Sequence, residues 1–259
     1  MYVDTQGIVL RTTKLTDGRK LLVLFTQEYG KITCSSNLAE GGKKKSGLAT
    51  RPFTYSKFNL YKKRDYFSVN SADVRKSYYS LGEDIDKYMA ASLVLEYTDR
   101  VLPENEKSMQ IFNLLRDYLE VISQRQGKYE TLTLAYKLKT LKYLGCSPEL
   151  KRCCCCGGEI KKDQRKVVFS ISEGGLICES CRRNMAGDLK LSLIYELDFG
   201  MIDVMNYMLL NPLEKLKGLA LNPETQGSLD ELLKKYIDYH LDIGDLKSEG
   251  LIKSEIMRR

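Results

Sequence analysis

The chain contains no tryptophan and a single histidine, His240, among its 259 residues. One histidine excludes the HExxH pattern of zinc hydrolases and any site built from several histidines. The sequence also lacks the GxxxxGK(S/T) phosphate loop of nucleotide hydrolases and the GxSxG elbow of serine hydrolases. No cluster of acidic residues stands out that would suit a nuclease. His240 is expected on a helix surface or partly buried with a hydrogen-bond partner. We therefore predict that the chain is not an enzyme.

Long hydrophobic runs are also missing, since no stretch reaches the ~18 apolar residues that a membrane-spanning helix requires. The opening residues, Met1-Tyr2-Val3-Asp4, do not have the basic and apolar character of a secretory signal. Apolar residues make up 43% of the chain, which is ordinary for a protein with a buried core. These features predict a soluble cytoplasmic protein with no membrane partner and with reduced cysteines.

Cysteine is plentiful by contrast, and six of the eight cysteines fall between Cys153 and Cys181. Cys153 with Cys156, and Cys178 with Cys181, form two CxxC pairs about twenty residues apart. A two-residue spacing lets a tight turn direct both thiolates to one point, and two such turns complete a tetrahedral shell of four sulfurs. This donor set suits Zn²⁺ and leaves no open coordination position, so the predicted zinc is structural.

Other readings of the cysteines remain open. An iron–sulfur cluster also takes four cysteines, so metal binding is better defined than the metal. A disulfide or a redox pair is less favoured in a cytoplasmic chain. Cys154 and Cys155 complete a run of four consecutive cysteines, and either of them could replace a neighbour as ligand.

Positive charge is concentrated at one end of the chain. Residues 1–80 carry 15 lysines and arginines against 6 acidic residues, whereas the rest of the chain carries 26 against 28. Segregated positive charge of this kind indicates a polyanionic partner. The candidate DNA-binding residues are Arg11, Lys14, Arg19, Lys20, Lys31, Lys43, Lys44, Lys45, Arg51, Lys57, Lys62, Lys63 and Arg64.

The same region has the pattern of a small β-barrel. Short apolar or alternating runs at Ile8–Leu10, Leu21–Phe25, Ile32–Cys34, Phe53–Tyr61 and Tyr66–Val69 are separated by turn residues. Five strands at this spacing are typical of an OB-fold, which binds single strands with a cationic groove and aromatic side chains. The aromatic residues of the fourth run either fill the barrel core or offer stacking surfaces: Phe53, Tyr55, Phe58 and Tyr61.

Beyond residue 80 the apolar residues recur at helical spacing. The predicted fold class is therefore α+β: an N-terminal OB-fold barrel (1–80), followed by an α-helical domain (81–259) with an inserted four-cysteine zinc module (148–184). Val167–Ile171 is a predicted strand between the two cysteine turns. The predicted helices are Ile85–Tyr97, Met109–Ile122, Thr131–Leu144, Leu191–Leu210, Leu213–Leu221 and Ser228–Leu241, the last with Ser228 as its N-cap.

Any one of these basic residues is best interpreted as a solvated surface charge. Thirteen of them within 54 positions, however, favour a phosphate-binding face. The glycine-flanked triplet Lys43–Lys45 is the strongest single candidate, because a mobile basic loop can contact a DNA backbone without reading sequence. A second basic cluster in the zinc module has two open interpretations, a contact with DNA and a purely structural role. Its residues are Lys151, Arg152, Lys161, Lys162, Arg165, Lys166, Arg182 and Arg183.

The order of these pieces resembles the RecO recombination-mediator family across nearly the whole chain. Two features differ from the family pattern: four cysteines stand in a row where two are usual, and the basic loop is rich in lysine rather than arginine. The segments that carry the resemblance are Asp17-Gly18, Phe25–Ile32, the Gly-Gly-Lys-Lys-Lys-Ser loop at Gly41–Ser46, Tyr143–Leu150, Gly174–Cys181 and the tail segments Tyr239–Leu241 and Leu246–Ser248.

The resemblance implies a non-enzymatic DNA repair and recombination mediator associated with the nucleoid. Its implied partners are single- and double-stranded DNA, RecR, the C-terminal tail of single-strand-binding protein and, indirectly, RecA. It implies annealing of complementary strands and help in loading RecA onto DNA coated by single-strand-binding protein. An alternative from the residues alone is a zinc-ribbon and OB-fold factor for RNA or transcription.

Overall fold

Five strands of the N-terminal region close into a barrel in the computed structural model, which describes residues 1–38, 45–127, 129–160, 166–184 and 193–250. The strand order is β1-β2-β3-β5-β4, and β1 also pairs with β4 to close the sheet. β3 and β5 run parallel, while the other neighbours are antiparallel. The strands are β1 (Tyr2–Lys14), β2 (Lys20–Thr26), β3 (Gly30–Ser36), β4 (Thr54–Lys63) and β5 (Tyr66–Ser77). The predicted OB-like barrel is confirmed.

Alternation along the strands separates the barrel core from its outer face. On β4, Ser56, Phe58 and Leu60 are buried, whereas Asn59 is half-buried and Tyr61 is exposed. Successive side chains of a strand point to opposite faces of the sheet, so this alternation fills the barrel with one set. Removing each large apolar side chain of the core from water contributes roughly 1.5–3 kcal/mol to folding.

Two helices follow the barrel, α1 (Ile85–Val101) and α2 (Met109–Gln124). Asp84 caps α1 by accepting hydrogen bonds from two backbone N–H groups of its first turn, and Ser108 caps α2 by accepting one from the Ile111 N–H. α2 is anchored on the barrel by Phe112, which is fully buried and whose ring lies 5.4 Å from the ring of Phe25.

The chain divides into two compact units, one formed by Met1–Tyr129 and the described residues from Asp245 onward, the other by Glu130–Gly244. The tail belongs to the first unit because the Glu96 carboxylate on α1 accepts hydrogen bonds from the backbone N–H groups of Lys247 and Ser248, at 2.9 and 2.8 Å. The predicted division at residue 80 and the predicted limits of the zinc module remain predictions.

The second unit contains helices and a three-stranded sheet of order β7-β6-β8. α3 packs against both α5 and α6. Its elements are α3 (Glu130–Tyr143), β6 (Lys166–Ser170), β7 (Gly175–Ile177), α4 (Glu179–Asn184), β8 (Ile194–Asp198), α5 (Phe199–Leu210) and α6 (Pro223–Leu241).

The predicted helix Leu191–Leu210 is wrong in its first part. Ile194–Asp198 is strand β8, because it pairs with β6 in the register that places Tyr195 opposite Phe169. The helix starts only at Phe199, where the Asp198 side chain accepts a hydrogen bond from the Met201 N–H at 2.7 Å. Leu191 and Ser192 lie outside the described residues.

Two smaller predictions about the last helices also need correction. The segment predicted as a helix over Leu213–Leu221 forms only a 3₁₀ turn at Leu213–Leu216. α6 begins at Pro223, and its cap is Asn222, whose side chain accepts a hydrogen bond from the Thr225 N–H at 2.7 Å. Asn followed by Pro is a strong helix start, so Ser228 lies inside the helix instead of capping it.

Within the part of the chain that the structure describes, no helix combines the length and the apolar character needed to cross a membrane.

The turn between β2 and β3 provides a test of the fold. Gly30 has a φ of +67°, and a Cβ at this position would lie 2.1 Å from the Glu106 carbonyl oxygen. Gly30→Ala therefore combines backbone strain with a clash, and we expect it to lower the free energy of unfolding by about 2–4 kcal/mol. Gly18→Ala is the matched control: its φ is +82°, but no atom lies within 4 Å of the new Cβ. Thermal and urea unfolding of both variants should show the larger loss for Gly30→Ala; equal losses would contradict the role of the close approach.

Candidate functional site

Four cysteine sulfurs meet in the second unit. The Sγ atoms of Cys153, Cys156, Cys178 and Cys181 all lie within 4.8 Å of one another, and those of Cys156 and Cys178 are 3.8 Å apart. A tetrahedral zinc with Zn–S bonds of about 2.3 Å separates its sulfurs by about 3.8 Å. The cluster therefore has the dimensions of a metal site of the four-thiolate type, and it consists of the four predicted ligands.

Local backbone geometry brings the first pair together. The Cys153 N–H donates to the Gly158 carbonyl at 2.8 Å, and the Gly157 N–H donates back to the Cys153 carbonyl at 2.9 Å. Gly157 has a φ of +72°, which glycine adopts without a Cβ penalty. The second pair flanks the start of α4, which places Cys178 just before the helix and Cys181 within its first turn.

The electrostatics of the cluster favour a bound cation. Burial of Cys153 opposes ionisation, but hydrogen bonds from the backbone N–H groups of Cys178, Cys156 and Cys155 outweigh it and lower the pKa of this thiol to about 6. The pKa of Cys181 is raised, first by its hydrogen bond to Cys178, because that contact favours the protonated form. Four adjacent thiolates repel one another, so a divalent ion would take the place of the remaining protons.

The other two cysteines of the run lie beside the cluster. The Cys154 N–H donates to the Leu176 carbonyl at 2.8 Å, and burial raises the pKa of the Cys154 thiol to about 11. Cys155 is exposed, and its pKa is also raised, first by desolvation. The geometry thus selects the outer pair, Cys153 and Cys156, from the four cysteines whose register the sequence left open.

α6 holds the hairpin that connects the two cysteine turns. The Tyr236 hydroxyl donates to the Gly174 carbonyl at 3.3 Å, and the Tyr236 ring lies 5.9 Å from the ring of Phe169 on β6. The Nε2 atom of His240 lies 2.8 Å from the Ile171 carbonyl oxygen. His240 is half-buried and has a hydrogen-bond partner, as predicted for this residue.

Two of the candidate DNA-binding residues on the barrel are buried. Lys20 and Lys31 are 5% and 8% exposed. The Lys31 ammonium donates to the Asp99 carbonyl at 2.6 Å and lies 3.4 Å from the carboxylate of the same residue. An ammonium group held this way faces α1 and not a ligand.

Three candidates are exposed or half-exposed but paired with acids. Arg11 lies 3.2 Å from Asp99, Arg19 lies 2.6 Å from Asp17, and Lys57 lies 3.1 Å from Asp4. Such surface pairs contribute little to stability, so a phosphate can exchange with the carboxylate at low cost.

Two further candidates lie over aromatic rings. The Arg51 guanidinium lies 5.7 Å from the centre of the Tyr79 ring. The Lys62 ammonium lies 5.0 Å from the ring of Tyr29 and 5.3 Å from that of Phe67.

Three further candidates are also exposed: Lys14 at the end of β1, and Lys63 and Arg64 at the turn between β4 and β5. Lys63 and Arg64 form no ion pair with any residue of the described ranges. Lys43 and Lys44 lie outside the described residues. Lys45 begins a 3₁₀ turn that runs to Thr50, but its side chain also lies outside the description.

The aromatic candidates divide between the core and the surface. Phe53 and Phe58 are buried, and Tyr55 packs against Phe112 at 6.1 Å. Tyr61 is exposed, and so are two tyrosines that the strand pattern had not singled out, Tyr2 and Tyr66. Continuing the alternation to the first residues of β1 and β5 would have identified both.

The basic cluster of the second unit is partly neutralised. Arg182 lies 3.4 Å from Glu196, and Arg183 lies 3.9 Å from Glu179. Lys151 and Arg152 are exposed. Lys161, Lys162 and Arg165, with the side chain of Lys166, lie outside the described residues. A DNA contact and a purely structural role both remain predictions for this cluster.

Comparison with known proteins gives matches along nearly the whole chain. The family models for the N-terminal and C-terminal parts of recombination protein O match residues 1–78 and 82–250. The chain is 33% identical over 253 residues to the DNA repair protein RecO of Alkaliphilus metalliredigens, covering 98% of this chain and 99% of that protein. It is 31% identical to the DNA repair protein RecO of Pelotomaculum thermopropionicum, over 95% of this chain and 91% of that protein.

The match to both family models follows the architecture described above, with one model covering the barrel and the other covering the helices and the cysteine cluster. The resemblance predicted from the sequence is thereby confirmed, and this chain belongs to the RecO family of recombination proteins.

Proposed function

We propose that this chain binds single- and double-stranded DNA, anneals complementary strands and, together with RecR, helps RecA load onto DNA coated by single-strand-binding protein. The observation that carries the proposal is membership of the RecO family over nearly the full length, at both the barrel and the helical region. RecO proteins are recombination mediators that make and break no covalent bond, in agreement with the predicted absence of enzymatic activity.

The proposed mechanism is electrostatic. Two complementary strands repel each other through their phosphates, and a cationic surface that holds both lowers this repulsion and raises their local concentration. The barrel region supplies an excess of nine positive charges over residues 1–80. Pairing is then completed by the bases themselves, so the protein needs only to hold and release the strands.

The DNA-binding residues that we propose are those whose charge can reach solvent. Lys14, Lys63 and Arg64 are exposed. Arg11, Arg19 and Lys57 are paired with carboxylates and would exchange the carboxylate for a phosphate. Arg51 and Lys62 would act from their positions over aromatic rings. Lys43, Lys44 and Lys45 remain proposed DNA-binding residues on the basis of sequence, whereas Lys20 and Lys31 are buried and are not among them.

The partners follow from the family and remain proposals: RecR, the C-terminal tail of single-strand-binding protein and, indirectly, RecA. A cytoplasmic location at the nucleoid is proposed on the same basis. The RNA or transcription factor considered from the residues alone has no observation of its own in its favour.

For the cysteine cluster we propose a structural zinc ion held by Cys153, Cys156, Cys178 and Cys181. Four thiolates complete a tetrahedral shell, so no position is open for a substrate or an activated water. The ion would join the two cysteine turns on either side of β6 and β7, the hairpin that Tyr236 and His240 contact from α6.

The zinc proposal predicts one zinc ion per chain in the purified protein, measured by elemental analysis. Cys178→Ser should lose the metal and lower the melting temperature, because the shell then lacks a thiolate. Cys154→Ser and Cys155→Ser, in the same run of cysteines, are matched controls that should retain it. Loss of zinc from the controls and retention in Cys178→Ser would contradict the assignment.

Zinc retention should depend on pH in a defined direction. The folded-state pKa of Cys153 lies at about 6, below the ordinary thiol value of 9.0. Stabilisation of the thiolate is therefore complete above about pH 9 and is lost as the pH falls from there through about 6, where protons compete with the metal. A chromophoric chelator should remove zinc slowly at pH 7.5 and much faster below pH 6. A release rate that does not change over this range would argue against thiolate ligation.

Charge reversal at the β4–β5 turn tests the cationic surface. Lys63→Glu with Arg64→Glu should weaken binding to single- and double-stranded DNA alike, by about tenfold or more at low salt, because phosphate contacts do not read the bases. The slope of log K against log salt should also fall by about 2. Lys142→Glu with Lys215→Glu changes the net charge equally at exposed positions of the second unit and serves as the control. Equal affinity of the two double variants would show that this turn does not contact DNA.

An annealing assay tests the mediator function itself. Complementary oligonucleotides coated with single-strand-binding protein should anneal faster when the chain is added, and added salt should reduce the gain. Adding RecR and RecA should then increase RecA filament formation on the coated strand. Binding to RNA alone, with no effect on DNA annealing, would refute the proposal.

A further inference from the structure

Two large aromatic side chains are exposed side by side on the outer face of the barrel. Tyr2 of β1 and Tyr61 of β4 are directly opposite each other in the strand register. Their rings lie 5.4 Å apart at an angle of 62°, in an edge-to-face arrangement. Even so, Tyr2 is 64% exposed and Tyr61 is 38% exposed. The pair is thus held in place by backbone pairing and by ring–ring contact but is not covered.

The opposite end of the same two-strand ladder is covered by the protein. There Ile8 is paired with Tyr55; Ile8 is fully buried, and the Tyr55 ring lies against Phe112 of α2. The Tyr55 hydroxyl is also bound, since it donates to the Gln6 side chain. The outer face of β1 and β4 therefore changes from a covered end at Tyr55 to an open end at Tyr2 and Tyr61, and only the open end offers ring surface to a ligand.

Positive charge lies next to the open end. Lys63 follows Tyr61 on the same face of β4, and Arg64 comes directly after it in the turn. Across the ladder from Lys63 is Tyr66, a third tyrosine with an exposed ring. Rings and cations thus alternate along the edge of the barrel, so that a phosphate and a neighbouring base could be held together.

Two acidic residues lie in this region. Asp65 follows Arg64 in the turn and is exposed, but Lys63 and Arg64 outnumber it there. The other acidic residue, Asp4, is balanced by its neighbours. Asp4, one pair further along the ladder, lies 3.1 Å from the Lys57 ammonium and accepts a hydrogen bond from the Asn59 amide at 2.7 Å. Its charge is shared with these two partners, so the open end remains attractive to phosphate.

We propose that Tyr2 and Tyr61 form a stacking platform for an unpaired base of single-stranded DNA, with Lys63 and Arg64 holding the adjacent phosphates. The chemistry selects single strands, because the faces of a base in a duplex are already covered by its neighbours, whereas those of an unpaired base are free to stack. The inference rests on the proposed DNA binding and extends it: the cations bind any DNA, and the tyrosine pair distinguishes single strands from duplexes.

The platform is tested by removing the tyrosine rings from the protein and, separately, the bases from the DNA, and by measuring the binding of every combination. The full chain and the variant Tyr2→Ala/Tyr61→Ala are titrated with a labelled oligothymidylate of about 20 nucleotides, with an abasic strand of equal length and with a duplex. The unaltered chain should prefer the oligothymidylate to the abasic strand. The variant should lose this preference, binding oligothymidylate about 10-fold or more weaker, with duplex and abasic binding unchanged.

Two further variants guard against indirect effects. Tyr2→Phe/Tyr61→Phe keeps the rings and should keep the preference, whereas Tyr207→Ala removes an exposed ring from the second unit and should change nothing. Thermal unfolding of each variant verifies that it folds; if the alanine variant does not, Tyr2→Leu/Tyr61→Leu replaces it.

The outcomes separate the two proposals. The platform is overturned if the alanine variant still prefers oligothymidylate to the abasic strand. It is also overturned if the unaltered chain shows no such preference but still binds duplex. Either result leaves the proposed DNA binding intact. Failure of the unaltered chain to bind any of the three probes overturns both. In the absence of DNA, the sedimentation coefficient of Tyr2→Ala/Tyr61→Ala can also be compared with that of the unaltered chain. If this coefficient differs while the base preference is the same in both, the platform is overturned in favour of a contact between two copies of the chain.

Discussion

The pairing of β1 with β4 is the constraint on which the rest of the first unit depends. β1 is thirteen residues long and pairs with β2 along one edge and with β4 along the other, which closes the sheet. Closure removes the free strand edges that an open five-stranded sheet would expose. It also decides which side chain of each strand points outward, and so it determines where the cations and tyrosines of the outer face lie. A slip of one residue in this register would exchange core and surface on one of the two strands.

In the second unit the comparable constraint is the repulsion among four sulfurs. The backbone turns bring the sulfurs together with the help of hydrogen bonds such as that from the Cys178 N–H to the Cys153 sulfur at 3.3 Å. The same contacts stabilise negative charge, so the arrangement favours a cation and becomes costly without one. Each unit thus brings charges of one sign together. The cations of the barrel would be stabilised by a polyanion, and the thiolates of the second unit would be stabilised by a metal cation.

Local patterns predicted much of this structure, and contacts distant in sequence account for the remainder. The five barrel strands and the four clustered cysteines follow from alternation and from CxxC spacing, which are local properties. Strand β8 could not be found in this way, because its partner β6 lies earlier in the chain and its own residues suit a helix as well. The burial of Lys31 depends on Asp99 of α1, and no pattern within the barrel residues indicates that contact.

The hydrogen bonds from the tail to Glu96 have a consequence for synthesis of the chain. Lys247 lies 151 positions after its partner, and the whole second unit is encoded between them. The ribosome synthesises the chain from its N-terminus. The barrel and α1 are therefore made well before Lys247 and Ser248, which donate the hydrogen bonds to Glu96. During this interval the Glu96 carboxylate lacks its hydrogen bonds from Lys247 and Ser248, and the first unit gains them only after the second unit has been synthesised.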